Sequence, residues 1–356
     1  MSEIVPPEVR IDQLTGLRTI LAAGRADRPI QFTPSPRKEG AADSCPFCEG
    51  REQKTPLEVW ADRPGDEANT PGWRVRAVPN LYPAVGIPAG QEDGAEPAAG
   101  VPSGDAALRD PLRASARIGE ADLFARSGAG GAHEVIVSTP RHVVSLGELD
   151  DAELAVAVAG WRERMRAHSD ASCVQLIVNE GGGAGASLEH SHAQLYALDF
   201  VPVQIARERE RFTAYAERTM GGELLADIAS EEVRRRERLV AIDDDAMVIC
   251  PWASHGAFEV RVIPRRSTPR FEDDEVGAAA LGTALRALRG RFGDELELNL
   301  WVRTAPRSTE AFHWHIDIAP KLSHKAGFEL STGVDISIVS PEQAAAELRG
   351  ALGEGG

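Results

Sequence analysis

The 356-residue chain predicts an α+β fold made of two tandem repeats, each a mostly antiparallel sheet with a crossing helix. Three observations carry this. HEVIVSTPRH (133–142) and FEVRVIPRRS (258–267) are alike, β-branched runs that end in Pro-Arg. Each is followed by an acidic turn and an Ala-rich helical stretch, 147–168 in the first copy and 272–292 in the second. Each helical stretch leads into a strand, VQLIVN (174–179) or ELNLWV (297–302), and then to His-x-His. Pro140 and His190 lie 50 positions apart, Pro264 and His313 49, so the units keep the same internal spacing.

The first unit is placed at 1–202 and the second at 203–345, with a tail over 346–356 whose last residues, GEGG, are expected to fray. A low-complexity loop rich in Ala, Gly and Pro (86–120) interrupts the first unit. The copies diverge where chemistry would show: His142 becomes Arg266, and Gln194 becomes Asp317. One active site per chain is the expectation.

At 42% hydrophobic residues the composition is that of a soluble globular protein. No apolar run is long enough to span a membrane, and the N-terminal residues do not form a signal peptide, so a cytoplasmic location is expected. A net charge of −16 argues against nucleic-acid binding, which needs a basic surface. Cys173 and Cys250 sit in apolar runs and read as buried strand residues.

Cys45 and Cys48 form a Cys-Pro-Phe-Cys pair, a metal or redox pattern in a cytosolic chain. With His142 and one of His190 or His192 they make a Cys2His2 set, of the kind that closes around structural zinc. On an extended segment His190, His192 and Gln194 share one face, so one histidine can hold a metal while its neighbour stays free. A neutral, oriented imidazole is a competent nucleophile toward phosphorus. The turn NEGGGAGAS (179–187) lets backbone N–H groups approach a phosphate. Gln194 can donate its amide to a phosphoryl oxygen.

Together CPFC, NLYP, STPRH, the turn that ends in HSHAQ, and the later HWH resemble the galactose-1-phosphate uridylyltransferase family, the two-repeat transferase branch of the histidine triad (HIT) superfamily. The resemblance runs from about residue 20 to 345 and makes the repeats HIT-like. It implies a ping-pong reaction: a nucleotide sugar gives its nucleotidyl group to His192, a sugar-1-phosphate leaves, and a second phosphate collects the nucleotide. By the same resemblance Gln194 contacts the reacting phosphate, and Cys45, Cys48, His142 and His190 hold one structural zinc. Arg25, Arg28, Asn80, Tyr82, Asn179, Gly185 and Ser187 bind the nucleotide. Lys325, Phe328 and Glu329 serve the sugar phosphate. A homodimer with shared active sites is implied.

The middle residue of His-Ser-His departs from the family's proline, a change also seen in relatives such as ADP-glucose phosphorylases. A second metal site of the family would use Glu208, His313 and His315, but its third histidine is Arg266. A cation opposes metal binding, so this site is expected to be lost, with Arg266 pairing to Glu208. Asp335 stands where the family reads the hexose with a glutamine, and a carboxylate cannot donate as an amide does. His133 is expected to play a supporting role. His168 and His324 are expected at the surface, and 231–239 as a solvated helix face. The leading function is a UDP-glucose–hexose-1-phosphate uridylyltransferase type of transfer. The alternative is phosphorolysis of an ADP-sugar or a dinucleoside polyphosphate. A zinc-stabilised nucleotide-binding module without catalysis is the third reading, and the intact His192 and Gln194 weigh against it.

Overall fold

A computed structural model describes residues 6–22, 24, 41–65, 67–86 and 128–353. Arg25, Arg28, nearly all of the predicted 86–120 loop and the last three residues lie outside the described residues. In chain order the elements are β1 (Glu8–Ile11), β2 (Arg18–Leu21), α1 (Ala41–Ser44), β3 (Trp60–Asp62), β4 (Val75–Pro79) and β5 (Gly131–Val137). Next come α2 (Asp151–Ala167), β6 (Cys173–Glu180), β7 (His192–Leu198), α3 (Val203–Thr219), α4 (Leu224–Arg235), β8 (Leu239–Ile242), β9 (Ala246–Ile249) and β10 (Val260–Pro264). The last are α5 (Ala278–Phe292), β11 (Leu298–Arg303), β12 (His315–Pro320), α6 (Gly327–Thr332), β13 (Asp335–Ser337) and α7 (Pro341–Gly353).

Ten strands form one sheet in the order β3-β4-β5-β7-β6-β11-β12-β10-β9-β8, with every neighbouring pair antiparallel. Read inward from each edge, the two halves have the same order, so β5-α2-β6-β7 matches β10-α5-β11-β12. The α+β architecture of two HIT-like repeats is therefore present, and the halves join edge to edge through β6 and β11. A separate sheet, β1-β2-β13, brings the two ends of the described chain together.

Side chains alternate across the sheet. One face carries Ile136, Leu176, Val178, Leu195, Val262, Leu300 and Ile316, packed on Leu154, Val158 and Trp161 of α2 and Leu281 and Leu285 of α5. Each such side chain, fully buried, contributes about 1.5–3 kcal/mol. Helix α2 begins where Asp150 and Glu153 form a reciprocal cap. Helix α5 ends at Gly293, whose φ of 85° the other residues disfavour.

The opposite face is covered at one end by α3 and α4, where Phe212 and Leu225 meet Met247, Ile249 and Ile263. At the other end the Cys-Pro-Phe-Cys turn lies on it, with Phe47 against Val135 and Val137. Between them the face displays its polar side chains.

Two expectations change. The tail placed at 346–356 begins inside α7, which runs to Gly353 and buries Leu348, because Ala344, Ala345 and Leu348 supply an apolar stripe for α5. The run 231–239 is only partly a solvated face. Glu231 pairs outside with Arg234 and Arg235, but Glu232 is buried against Arg238 at 2.9 Å. Among the described residues no helix is long and apolar enough to cross a membrane.

Candidate active site and metal centre

The Cys-Pro-Phe-Cys turn follows α1 and is tied down by Glu49 N–H, which donates to Pro140 O at 3.1 Å, and by Arg51, which donates to Cys45 O at 2.9 Å. This places both sulfurs beside the segment that follows β5 and the one that precedes β7. Cys45 Sγ lies 3.4 Å from His190 Nδ1, and Cys48 Sγ lies 3.6 Å from that atom and 3.5 Å from His142 Nδ1. All four ligand atoms lie within 4.8 Å of one another. A tetrahedral ion with about 2.3 Å to sulfur and 2.0–2.1 Å to nitrogen would set sulfur and nitrogen roughly 3.5 Å apart, so the set fits a metal ion. His190 Nε2–H donates to Thr139 O at 2.9 Å, which leaves Nδ1 unprotonated toward the sulfurs. Burial holds His190 down to about 4. Burial and the Cys45 thiol push Cys48 up to about 11; a bound divalent cation would reverse that field and take the thiolate.

His192 opens β7, buried, with the Phe47 ring edge-on at 5.2 Å. Its Nδ1–H donates to His190 O at 2.7 Å. Burial lowers its pKa, so the ring is neutral and Nε2 keeps its lone pair. Such an imidazole can attack an electrophilic phosphorus. Two residues on, Gln194 Oε1 accepts from His133 Nε2–H and from Tyr196 Oη–H, both at 3.1 Å.

The glycine-rich turn is shaped by neighbours on β11 and just before it. Gly181 has φ 88°, and a Cβ there would meet Glu297 Cγ at 2.2 Å. Gly183 N–H donates to Glu297 Oε1 at 3.0 Å. Asn299 Nδ2 donates to Asn179 Oδ1 and to Ala184 O, each at 2.8 Å. Gly185, in the left-handed region, and exposed Ser187 complete the turn. Asn80 Oδ1 accepts from Tyr82 N–H at 2.8 Å, and the Tyr82 side chain is exposed.

Lys325 and Glu329 line a cavity of about 430 Å³ in the second half, together with His255, Trp301, Arg303 and Asp317. Neither His192 nor Gln194 lines it. Phe328 is exposed nearby on α6. Asp335 is held from both sides, by Lys325 Nζ at 2.7 Å and His255 Nδ1 at 2.9 Å.

The second half keeps the backbone plan but not the chemistry. Asp317 takes the place of Gln194, and its oxygens accept from Arg261 Nε at 2.6 Å and Trp301 Nε1 at 3.0 Å. Among the described residues the ligand atoms of Glu208, His313 and His315 do not come together as those of the cysteine pair do. Glu208 does not pair with Arg266, which is exposed; it meets Arg303 Nε at 3.2 Å, because Arg303 ends β11 on the polar face of the sheet, toward α3. His168 is not a free surface residue either: its Nε2 lies 2.7 Å from Glu134, which Arg164 also holds.

The sequence alone did not point to Tyr196, Asn299 and Glu297. Tyr196 had a signal, since 192, 194 and 196 alternate onto one face. The other two contact the site from β11 and the residue before it, far away in the chain.

Two HIT-like halves share one sheet, and the His-x-Gln pair stands in the first half only, with His315 and Asp317 in its place in the second. The family profile described as "Galactose-1-phosphate uridyl transferase, N-terminal domain" matches residues 108–202. The chain is 30% identical over 278 residues to a galactose-1-phosphate uridylyltransferase of Cryptococcus neoformans, covering 69% of this chain and 72% of that protein. It is 29% identical over 359 residues to an ADP-glucose phosphorylase of Arabidopsis thaliana, covering 96% and 92%. A crystal structure of an ADP-glucose phosphorylase from Arabidopsis thaliana with bound ADP-glucose superposes with a TM-score of 0.74 at 26% identity, covering 97% of this chain and 99% of that one. The chain belongs to the galactose-1-phosphate uridylyltransferase family, a group of nucleotidyltransferases and phosphorylases.

Proposed function

We propose that this protein transfers a nucleotidyl group from a nucleotide sugar through a covalent intermediate on His192. The single observation that carries this is the state of that ring: neutral, oriented through Nδ1–H to His190 O at 2.7 Å, with Nε2 left as the nucleophile. Nε2 attacks the nucleotide's phosphorus, the P–O bond to the sugar phosphate breaks, and the sugar-1-phosphate leaves with the bond's electrons. The phosphate of the acceptor then reverses the step. Gln194 N–H donates to the phosphoryl oxygen on which charge grows. Asn80, Tyr82, Asn179, Gly185 and Ser187, with Arg25 and Arg28, bind the nucleotide. Cys45, Cys48, His142 and His190 hold one zinc ion, which fixes the strand and takes no part in the chemistry.

The donor is an adenosine nucleotide sugar and the acceptor phosphate itself, in preference to uridylyl transfer. The match to the ADP-glucose phosphorylase spans nearly both whole chains, and Asp335, engaged by Lys325 and His255, offers no amide to a hexose. Uridylyl transfer is the second reading, favoured by the match of 108–202 to the uridyl transferase profile. Lys325, Phe328 and Glu329 lie apart from His192 within one chain and serve the site of the partner in a homodimer. Incubation with ADP-glucose or UDP-glucose without acceptor, followed by intact mass measurement, tests this. An adenylyl adduct that is absent in His192→Asn is expected. A uridylyl adduct alone would reassign the donor, and no adduct with either would end the transfer reading.

A further inference from the structure

We propose that His133 is a positioning residue for Gln194: its Nε2–H and the Tyr196 hydroxyl together hold the glutamine's carbonyl oxygen, so that the amide can offer the site only N–H. This rests on the reading of Gln194 as the group that contacts the reacting phosphate.

His133 on β5 stands opposite Tyr196 on β7 in the strand register, and the two rings stack with centroids 4.0 Å apart and planes 24° apart. Gln194 shares their face of the sheet, and its Oε1 lies 3.1 Å from both donors. Which nitrogen of His133 carries the proton follows from its other side. Ala84 N–H points at Nδ1 at 3.2 Å, and a backbone N–H can only donate, so Nδ1 is the acceptor and the single ring proton sits on Nε2. Burial lowers the His133 pKa, which keeps the ring neutral and so limits it to that one proton.

A glutamine amide can turn end for end, and in one orientation its oxygen would face a phosphoryl oxygen and repel it. Turned that way here, the NH2 group would meet the His133 N–H, donor against donor, and lose a buried hydrogen bond. The correct orientation is therefore set before substrate arrives, the condition under which a donor is most effective. The same residue also meets the segment assigned to the nucleoside: Asn80 N–H donates to His133 O at 2.8 Å and Ala84 N–H to Nδ1, whereas Asn80 Nδ2 stands 3.1 Å from Nε2 as donor facing donor, so Nε2–H is left to Gln194.

The experiment measures the rate of nucleotidyl adduct formation in a single turnover at several ADP-glucose and UDP-glucose concentrations, separating maximal rate from half-saturation. His133→Phe keeps the stacked ring and removes the N–H. Its maximal rate is expected to fall about 10- to 100-fold, well beyond the modest rise in half-saturation and small drop in thermal midpoint that follow from the lost acceptor for Ala84 N–H. His133→Gln, which again carries an N–H, recovers most of the loss. Tyr196→Phe, which removes only a hydroxyl, gives a smaller loss of the same kind and serves if His133→Phe does not fold. In a Gln194→Ala background His133→Phe has no further effect. An undiminished rate in the single variant, or the same loss in both backgrounds, overturns the proposal while leaving the transfer reading intact. Absence of any adduct in the unmodified protein overturns both.

Discussion

Gln194 and Asp317 stand at corresponding positions in the two halves, and that one difference settles their chemistry. The amide can donate while its oxygen is held. The carboxylate can only accept, and both of its oxygens are engaged by Arg261 and Trp301. Burial alone would push Asp317 up, but Arg261 and the neighbouring His315 outweigh it and hold the carboxyl down at about 2. The pair is buried on both sides, at 8% and 4% side-chain exposure. Asp317→Ala removes the hydrogen-bonded partner of the buried Arg261, and a loss of about 3–5 kcal/mol in urea denaturation is expected. The exposed Arg141–Glu153 pair should cost under about 1 kcal/mol when broken. Equal effects at the two sites would refute this assignment. Gln194 and His192 were legible in the sequence as an alternating motif. The partners of Asp317 were not, since Arg261 lies 56 positions away and pairs with it only through the strand register.

At the scale of the element, β6 ends on an ionisable group buried where such groups are seldom found. Glu180 ends that strand fully buried, accepting from Ser145 Oγ–H at 2.7 Å and Leu146 N–H at 2.5 Å, and so pins the loop before α2. Burial pushes its carboxyl up to about 7, against the hydrogen bonds that favour the charge. The folded chain then binds this proton more tightly than the unfolded one. Its stabilising contribution is full below pH 4.5 and is lost as pH rises through 7. Relative to the parent, Glu180→Gln should therefore gain on the order of 3 kcal/mol between pH 4.5 and 8, as the carboxyl's own cost appears only in the parent. Parallel pH-dependent stability curves for the two proteins would show Glu180 ionised throughout. The strand-helix-strand core of each half follows from apolar β-branched runs and Ala-rich stretches that the chain displays openly, whereas α3, α6 and α7 and the small sheet were not legible there.

Across the whole molecule the register places Val135, Gln194, Ile177, Trp301, Asp317 and Arg261 in one row over six strands, three from each half. The cysteine pair closes this arrangement from outside, linking residues 45–48 to 142 and 190. A metal ion held there would bind the folded chain more tightly than the unfolded one, so its removal would lower stability by mass action. Treatment with 1,10-phenanthroline, or Cys48→Ser, is expected to lower the thermal midpoint by roughly 5–10 °C. Elemental analysis should find one zinc per chain. An unchanged midpoint in metal-free protein would remove the structural role.

The repeat, the strand-helix-strand core of each copy, the cysteine pair with its histidine candidates and the face shared by His192 and Gln194 are readable from the chain alone. All of these depend on short spacings and local periodicity, which a linear chain records directly. The fold was needed to see that the halves fuse through β6 and β11, that Arg303 and not Arg266 meets Glu208, and that His133 and Tyr196 hydrogen-bond to the Gln194 side-chain oxygen. Those contacts join residues on different elements, and they depend on a strand register that packing of the buried face selects. A slip of one residue would turn every one of them to the other side of the sheet.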